Sequence, residues 1–336
     1  MTNAVLITDL SLPASRELGQ LQVMHLKRYW QKCIMKRNGQ IKPGELNSEF
    51  QLDKTLLFTL GLGLEQTSVY IYRETPSFEE FEKWIVDTVG QPLPEKISRF
   101  NKVITDRNSG TLRSVPNVLS AEELAFWNEN GYLIIRNAIP KGDCEKTIEA
   151  ICNFIGIERE NPETWYNPHP ARQGIMVQLF QDPILEKNRN SEKVRLVYEQ
   201  LWNSTDLWVS ADRVGFNPPE TEHWKFPGPR LHWDTEPQVP FPFGLQGILY
   251  LADTAENQGA FSLVPGFHNR IDAWLTSLPE GTSPYSRNLY DFGCIPIAAN
   301  AGDFIIWHHA LPHGSSTNTS AKPRFVQYFT YDPSGV

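Results

Sequence analysis

The stretch Leu231-His232-Trp233-Asp234-Thr235-Glu236 sets the reading of the whole chain. Read as a β-strand, it presents His232 and Asp234 on one face, because side chains alternate along a strand. An imidazole and a carboxylate presented together supply two ligands of a 2-His-1-carboxylate facial triad, which leaves open positions on a non-heme Fe(II). A solvated strand with two polar residues facing water gives the same tripeptide, and the chain has 8 histidines to draw on. The tripeptide therefore needs a partner elsewhere.

That partner lies in Trp307-His308-His309-Ala310-Leu311-Pro312-His313-Gly314-Ser315, where His313 stands 81 residues beyond His232. It is followed by Pro323-Arg324-Phe325-Val326-Gln327-Tyr328. Here are a third ligand in His313, a hydroxyl in Ser315 and a guanidinium in Arg324. A guanidinium fork beside a hydroxyl suits a carboxylate, which it grips with two parallel hydrogen bonds. Arg324 is expected in the last strand, with Val326 and Tyr328 facing the same way. A buried arginine needs an anion, and either a ligand carboxylate or an acidic side chain would meet that need.

The order His-x-Asp, distal His with Gly-Ser after it, then Arg eleven residues beyond that His resembles the phytanoyl-CoA dioxygenase-like family. These are Fe(II)- and 2-oxoglutarate-dependent oxygenases, and ectoine hydroxylase belongs to the same group. The likeness extends to Gly131-Tyr132-Leu133-Ile134-Ile135-Arg136-Asn137-Ala138-Ile139-Pro140 and to Gly259-Ala260-Phe261-Ser262-Leu263-Val264-Pro265-Gly266-Phe267-His268. It covers about residues 119–333. Among the neighbouring histidines only His313 has the Gly-Ser and the arginine at the family spacing, so His308 and His309 are expected to be packing groups.

The resemblance implies that His232, Asp234 and His313 hold Fe(II), and that Arg324 with Ser315 holds the distal carboxylate of 2-oxoglutarate. Gln246, Asn217 and Arg213 are expected to touch the other end of the co-substrate or the substrate. It further implies a jelly-roll, double-stranded β-helix core, O2 as second co-substrate, and succinate and CO2 as products. The reaction would oxidise an unactivated C–H bond of a small molecule, as in secondary metabolism, by hydroxylation first and otherwise by desaturation or cyclisation. Related halogenases carry a small residue in place of the carboxylate ligand; Asp234 is present here. Two other classes share the scaffold: a non-catalytic small-molecule binding protein and a cupin-like isomerase or lyase. The intact triad and Arg324 argue against the first, and the second would need no carboxylate anchor.

A chain of 336 residues with 40% hydrophobic and 12% aromatic residues builds one large domain with an extension, or two domains. A net charge of −8 argues against a nucleic-acid partner, which a basic footprint would signal. Cys33, Cys144, Cys152 and Cys294 form no CxxC and read as buried or free thiols of a reducing compartment. Met1-Thr2-Asn3-Ala4-Val5-Leu6 lacks a secretory signal, and no apolar run approaches a bilayer span, so the expectation is a cytoplasmic protein without a membrane partner.

Residues 1–105 read as a helical extension that buries its aromatic faces against the oxygenase domain, which is expected over 119–336. Leu26, Trp30, Cys33 and Ile34 recur at helical spacing. Lys27, Arg28, Lys32, Lys36 and Arg37 read as a solvated face in preference to a docking surface for an acidic carrier protein. His25 is expected to be exposed. Residues 91–118 read as a connector, and 158–190 as an irregular, lid-like segment. Strands are expected over 207–216, 231–235, 243–252, 259–264, 294–298, 304–309 and 324–331. His169 and His223 carry no assigned role, and His268 reads as a loop hydrogen-bonding residue.

Overall fold

Capping residues fix where the helices of this chain begin. Ser77 accepts from the Glu80 amide while Glu80 accepts from the Ser77 amide, and Ser120 and Glu123 repeat the exchange. Each pair satisfies two amides that a helix start leaves without partners. The computed structural model describes residues 11–42, 44–105 and 114–334. Met1 to Leu6 and residues 106–113 of the expected connector lie outside them. Among the described residues no helix is long and apolar enough to cross a membrane. The chain divides into two compact units: one runs to Ser114 and takes in Ser204–Asp212 and the end from Asp332, and the other holds Val115–Asn203 and Arg213–Tyr331.

The first unit contains helices α1 (Leu26–Arg37), α2 (Phe50–Leu60), α3 (Leu64–Glu74), α4 (Phe78–Val89) and α5 (Pro94–Thr105). Its apolar faces meet in a core of their own, including Trp30, Leu56, Phe81, Ile85 and Phe100. Trp30 packs on Phe78 at 5.6 Å between centroids, and its Nε1 donates to the Pro76 carbonyl. Helix α5 takes up 12 residues of the expected connector. Proline is well suited to a first helical position, and Ile97, Phe100, Val103 and Ile104 supply the 3.6-residue stripe that the connector reading passed over.

Two expectations about α1 are overturned. His25 is 1% exposed rather than on the surface. Its Nε2 donates to Asp53 at 3.0 Å and its Nδ1 lies 2.8 Å from the Ser15 hydroxyl. Lys32, also 1% exposed, lies 3.0 Å from Glu49 and 2.6 Å from Asp53, while Arg28 grips Glu49 at 2.7 Å. The basic face is thus partly interior, since buried cations persist only where carboxylates meet them.

The second unit begins with α6 (Ala121–Asn130), β1 (Tyr132–Ile135), α7 (Lys141–Ile155), β2 (Arg172–Gln173), β3 (Met176–Val177), α8 (Pro183–Arg189) and α9 (Glu192–Trp202). The expected lid is therefore structured: β2 and β3 form a hairpin on the edge of the main sheet. Strand β4 (Leu207–Val209) belongs to the first unit, where it pairs with the chain's last strand. Then follow β5 (Val214–Asn217), β6 (Leu245–Tyr250), β7 (Phe261–Leu263), α10 (Ile271–Ser277), β8 (Ile295–Pro296), β9 (Phe304–His308), β10 (His313–Ser315), β11 (Arg324–Tyr328) and β12 (Tyr331–Pro333). The strands expected over 207–216 and 324–331 each break in two, and 231–235 forms none.

Seven strands make one antiparallel sheet in the order β1-β9-β6-β11-β5-β3-β2, and three make another, β10-β7-β8. Register fixes the inward face of the larger sheet, because directly paired residues share a face. Trp307 pairs with Gln246, Ile305 with Ile248, Val326 with Tyr250 and Arg324 with Asn217. Arg324, Val326 and Tyr328 therefore point the same way, as expected. The two sheets share one core in which Ile248, Ile305 and Val326 meet Leu263 and Phe261. The Tyr250 hydroxyl ties them together: it donates to the Ile297 carbonyl and accepts from the Phe261 amide.

The charge cluster of the first unit has a pH signature. Burial pushes the Glu49 carboxyl up, but hydrogen bonds from Arg28 and Lys32 outweigh it and hold the group at about 2, below its ordinary 4.5. A depressed folded-state value gives stability that is present above about pH 4.5 and lost as pH falls towards 2, worth on the order of 3 kcal/mol. Glu49→Gln should lower the urea midpoint at pH 7. It should also show a smaller further loss between pH 5 and pH 3 than the wild type; equal losses would exclude this role.

Candidate metal centre and carboxylate anchor

The segment carrying His232 and Asp234 is irregular, not the strand expected from its sequence, and one point of ladder suffices to place it. The His232 amide donates to the His313 carbonyl at 2.9 Å and the His313 amide returns the bond at 3.0 Å. This bridge sets the two imidazoles 4.8 Å apart between centroids. Asp234 meets both: its Oδ1 lies 3.3 Å from His232 Nε2 and its Oδ2 lies 3.4 Å from His313 Nε2. Trp233 between them points the other way, into a core with Phe267 and Trp274, and its Nε1 donates to the Ala310 carbonyl.

Both rings are held in one tautomer. His232 Nδ1 lies 2.7 Å from the Arg230 carbonyl and His313 Nδ1 lies 3.0 Å from the Leu311 carbonyl. A carbonyl can only accept, so each Nδ1 carries a proton, and a neutral ring then presents its Nε2 lone pair towards Asp234. Burial pulls the His232 imidazolium down in pKa, but Asp234 and the Arg230 carbonyl outweigh it and the net shift is upward. Burial pushes Asp234 up, yet the two imidazoles hold it well below the usual carboxylate range. Exposure is graded across the three: His313 is buried, His232 half-buried and Asp234 exposed, so the site opens on the Asp234 side.

Two nitrogens and one carboxylate oxygen around a common point suit a divalent first-row metal. A contrast sharpens that fit. His25, Glu49 and Asp53 also cluster within metal-ligand distance of one another. There the cation is already present as Lys32, with Arg28 beside it. Among the described residues no lysine or arginine pairs with Asp234, whose side-chain partners are the two imidazoles and Gln246.

Strand β10 carries His313 and Ser315 two residues apart, on one face and about 7 Å from each other. Arg324 reaches Ser315 Oγ with Nη2 at 3.1 Å. The guanidinium is 0% exposed, yet Nε and Nη1 have no partner and no described carboxylate lies within ion-pair distance. Beside it, Asn217 leaves Oδ1 without a partner; further along the same inner face Trp307 Nε1 and Gln246 Oε1 are also buried and unpartnered. Unsatisfied buried polar atoms are rare in folded chains, because each costs about 1–3 kcal/mol. Here they line one surface running from the triad to Arg324.

The structure thus gathers His232, Asp234, His313, Ser315, Arg324 and Asn217 on this surface. Gln246 joins it, but its Nε2 donates to Asp234 Oδ2. The Arg213 carbonyl accepts from the Tyr328 amide. Tyr250 and Trp307 are missing from the sequence reading, although alternation through Gln246, Ile248 and Tyr250 would have put the tyrosine on the inner face. His308 and His309 stay outside the triad: His308 accepts from the Ala310 amide, and burial first and then two neighbouring histidines push its imidazolium down to about 3. His268 packs on His308 at 5.3 Å, and His169 accepts from the Ala171 amide.

Comparison with known proteins follows the same stretch of chain. The family model for phytanoyl-CoA dioxygenase matches residues 127–326. A putative phytanoyl-CoA dioxygenase of Dictyostelium discoideum is 26% identical over 263 residues, covering 63% of this chain and 75% of that protein. The peroxisomal phytanoyl-CoA dioxygenase of Homo sapiens is 24% identical over 230 residues, covering 60% of this chain and 65% of its own, just under two thirds. Among solved structures, EctD from S. alaskensis with bound Fe aligns at a TM-score of 0.48 with 18% identity, covering 66% and 82% of the two chains. The non-heme alpha ketoglutarate dependent epimerase SnoN aligns at 0.46 with 16% identity, covering 63% and 82%.

Gly314 sets how closely the two ligand segments approach. A Cβ there would lie 2.8 Å from the Arg230 carbonyl oxygen and 3.0 Å from that of Pro229, both backbone atoms that cannot rotate away. Gly314→Ala should therefore force β10 from the segment that carries His232. Overpacking of this kind costs about 1–3 kcal/mol. We expect a lower melting temperature together with at least tenfold weaker Mn(II) binding by calorimetry; wild-type values of both would show that the segments have slack.

Proposed function

The chain belongs to the phytanoyl-CoA dioxygenase family, and from that premise we propose that it is an Fe(II)- and 2-oxoglutarate-dependent oxygenase acting on a C–H bond of a small molecule. The two antiparallel sheets with a shared core are read as the double-stranded β-helix of such enzymes. The observation that carries the proposal is Arg324: a fully buried guanidinium, with two nitrogens unpartnered, bonded to Ser315 two residues along β10 from His313 of the His-Asp-His cluster.

In this reading His232, Asp234 and His313 hold the iron through Nε2, a carboxylate oxygen and Nε2. Bound iron with the 2-oxo acid supplies O2 activation, in which loss of CO2 from the co-substrate leaves succinate and the oxidising power for a C–H bond. The rest falls to the protein. Arg324 and Ser315 hold the distal carboxylate, and a charge-assisted fork fixes its orientation as well as its affinity. Burial pushes the Tyr250 phenol up to about 12 despite the nearby guanidinium, so it stays protonated. Phe261 and Trp307, 4.2 Å apart and both packed on His313, form an apolar wall that keeps water from the reacting centre. The small-molecule substrate approaches on the exposed Asp234 side.

Hydroxylation is the outcome this ligand set favours, because Asp234 fills the position that a halide would need. Desaturation or ring closure would follow a second hydrogen abstraction. The non-catalytic alternative keeps neither the unpaired guanidinium nor the exposed opening in use.

Two measurements test the proposal. In anaerobic titration the wild type should bind 2-oxoglutarate in the presence of Fe(II), and Arg324→Leu should weaken it more than a hundredfold. Removing one partner of a buried charge pair costs roughly 3–5 kcal/mol, which sets that factor. Wild-type affinity in the variant would dismiss the anchor. On admission of O2, succinate should form, and with substrate in excess chloride the product should gain one oxygen or lose two hydrogens by mass spectrometry. A chlorinated product would overturn the assignment of Asp234.

A further inference from the structure

The amide of Gln246 meets Asp234 and not the carboxylate anchor, and the protonation of the two imidazoles gives that contact its meaning. With each Nδ1 proton committed to a backbone carbonyl, a metal-ready His232 and His313 offer Asp234 no N–H at all. They present lone pairs, at 3.3 and 3.4 Å from its two oxygens. In that state the Gln246 Nε2–H, bonded to Oδ2, is the one hydrogen-bond donor among the described side-chain partners of this carboxylate. Asp234 is exposed and its own backbone lies in no strand. Gln246, by contrast, sits in β6, in ladder register opposite Trp307.

We propose that Gln246 is a positioning residue: it holds Asp234 through Oδ2 and leaves Oδ1 as the single carboxylate oxygen directed at the metal. The inference rests on the iron reading above and deepens it. One-oxygen coordination preserves an additional open position, which two-oxygen chelation by the same carboxylate would occupy. An amide suits the task better than a cation, because it donates a hydrogen bond without neutralising the ligand's charge. The sheet thus supplies the precision that the irregular ligand segment lacks.

The test uses the full chain without oxygen or substrate. Mn(II) affinity is read by calorimetry, and the environment of the metal by the visible d–d band of bound Co(II). Gln246→Met keeps the length of the side chain and removes its donor. It should bind Mn(II) 10- to 100-fold more weakly, the usual loss when a partner of a metal ligand is removed. It should also shift the Co(II) band, while the melting temperature of the metal-free protein stays within error of wild type. Gln246→Leu, which removes the amide without adding charge, serves as second variant should the methionine protein not fold, and the same two changes are expected. Affinity within twofold of wild type, or an unaltered Co(II) band, overturns the proposal. His313→Ala separates the two levels of argument. If it takes up metal like the wild type, the metal centre itself is wrong; if it loses metal while Gln246→Met does not, only the positioning role fails.

Discussion

Two backbone hydrogen bonds between His232 and His313 hold together everything that the site requires. They are the point at which an irregular segment touches the small sheet. They bring ligands 81 positions apart in sequence into one cluster. The approach is close enough that the intervening residue on β10 has room only for hydrogen at its α-carbon. The alternation of β10 then does a second job. The residue two positions after the ligand faces the same way, so Ser315 begins the carboxylate anchor where His313 ends the metal cluster.

Two clusters of histidine with carboxylates show how composition alone misleads. In the first unit His25, Glu49 and Asp53 converge around Lys32 and Arg28, and the charges balance inside the protein. In the second unit His232, Asp234 and His313 converge with no internal cation. In the first unit the carboxylates are enclosed, which demands a countercharge, whereas Asp234 is exposed and presents its charge outward. Where the chain provides the countercharge, the cluster cements helices. Where it does not, the charge stays open to something outside the chain. Arg324 is the mirror image, a buried cation without an internal anion, and the two charges lie along one surface.

His232, Asp234, His313 and Arg324, which the structure brings together, could be proposed from sequence because their chemistry is short-range: residue type, spacing and order pick them out without any knowledge of the backbone around them. The first-unit helix α4 was legible for a similar reason, its start being spelled by Ser77 and Glu80. What escaped was decided by tertiary contact. Residues 231–235 alternate like a strand, yet they lack a neighbour to pair with beyond His313. Prolines and polar residues around α5 masked the stripe from Ile97 to Ile104. Lys32 looked solvated because a helical wheel shows which residues share a face and not that Glu49 and Asp53 wait opposite one of them. Gln246 was legible as a site residue but not in its role, since only the fold reveals that its amide ends at Asp234.

The orphaned atoms of the inner face extend this reasoning from metal to co-substrate. A folded chain that leaves Arg324 Nε and Nη1, Asn217 Oδ1, Trp307 Nε1 and Gln246 Oε1 without partners carries a desolvation cost that packing does not recover. Scattered, such atoms would mark local imperfections. Collected on neighbouring strands, with donors concentrated at the arginine end and a nitrogen-oxygen ligand set at the other, they describe an absent molecule by its complement. It bears an anionic group at one end and reaches toward a metal at the other. An elongated 2-oxo dicarboxylate meets both conditions, and a ligand neutral at its far end would leave the guanidinium still unpaired. The exposed side of Asp234 remains for a different molecule, whose identity is set by the mouth of the site and not by this polar floor. In the proposed reading, co-substrate and substrate would thus be selected by separate surfaces.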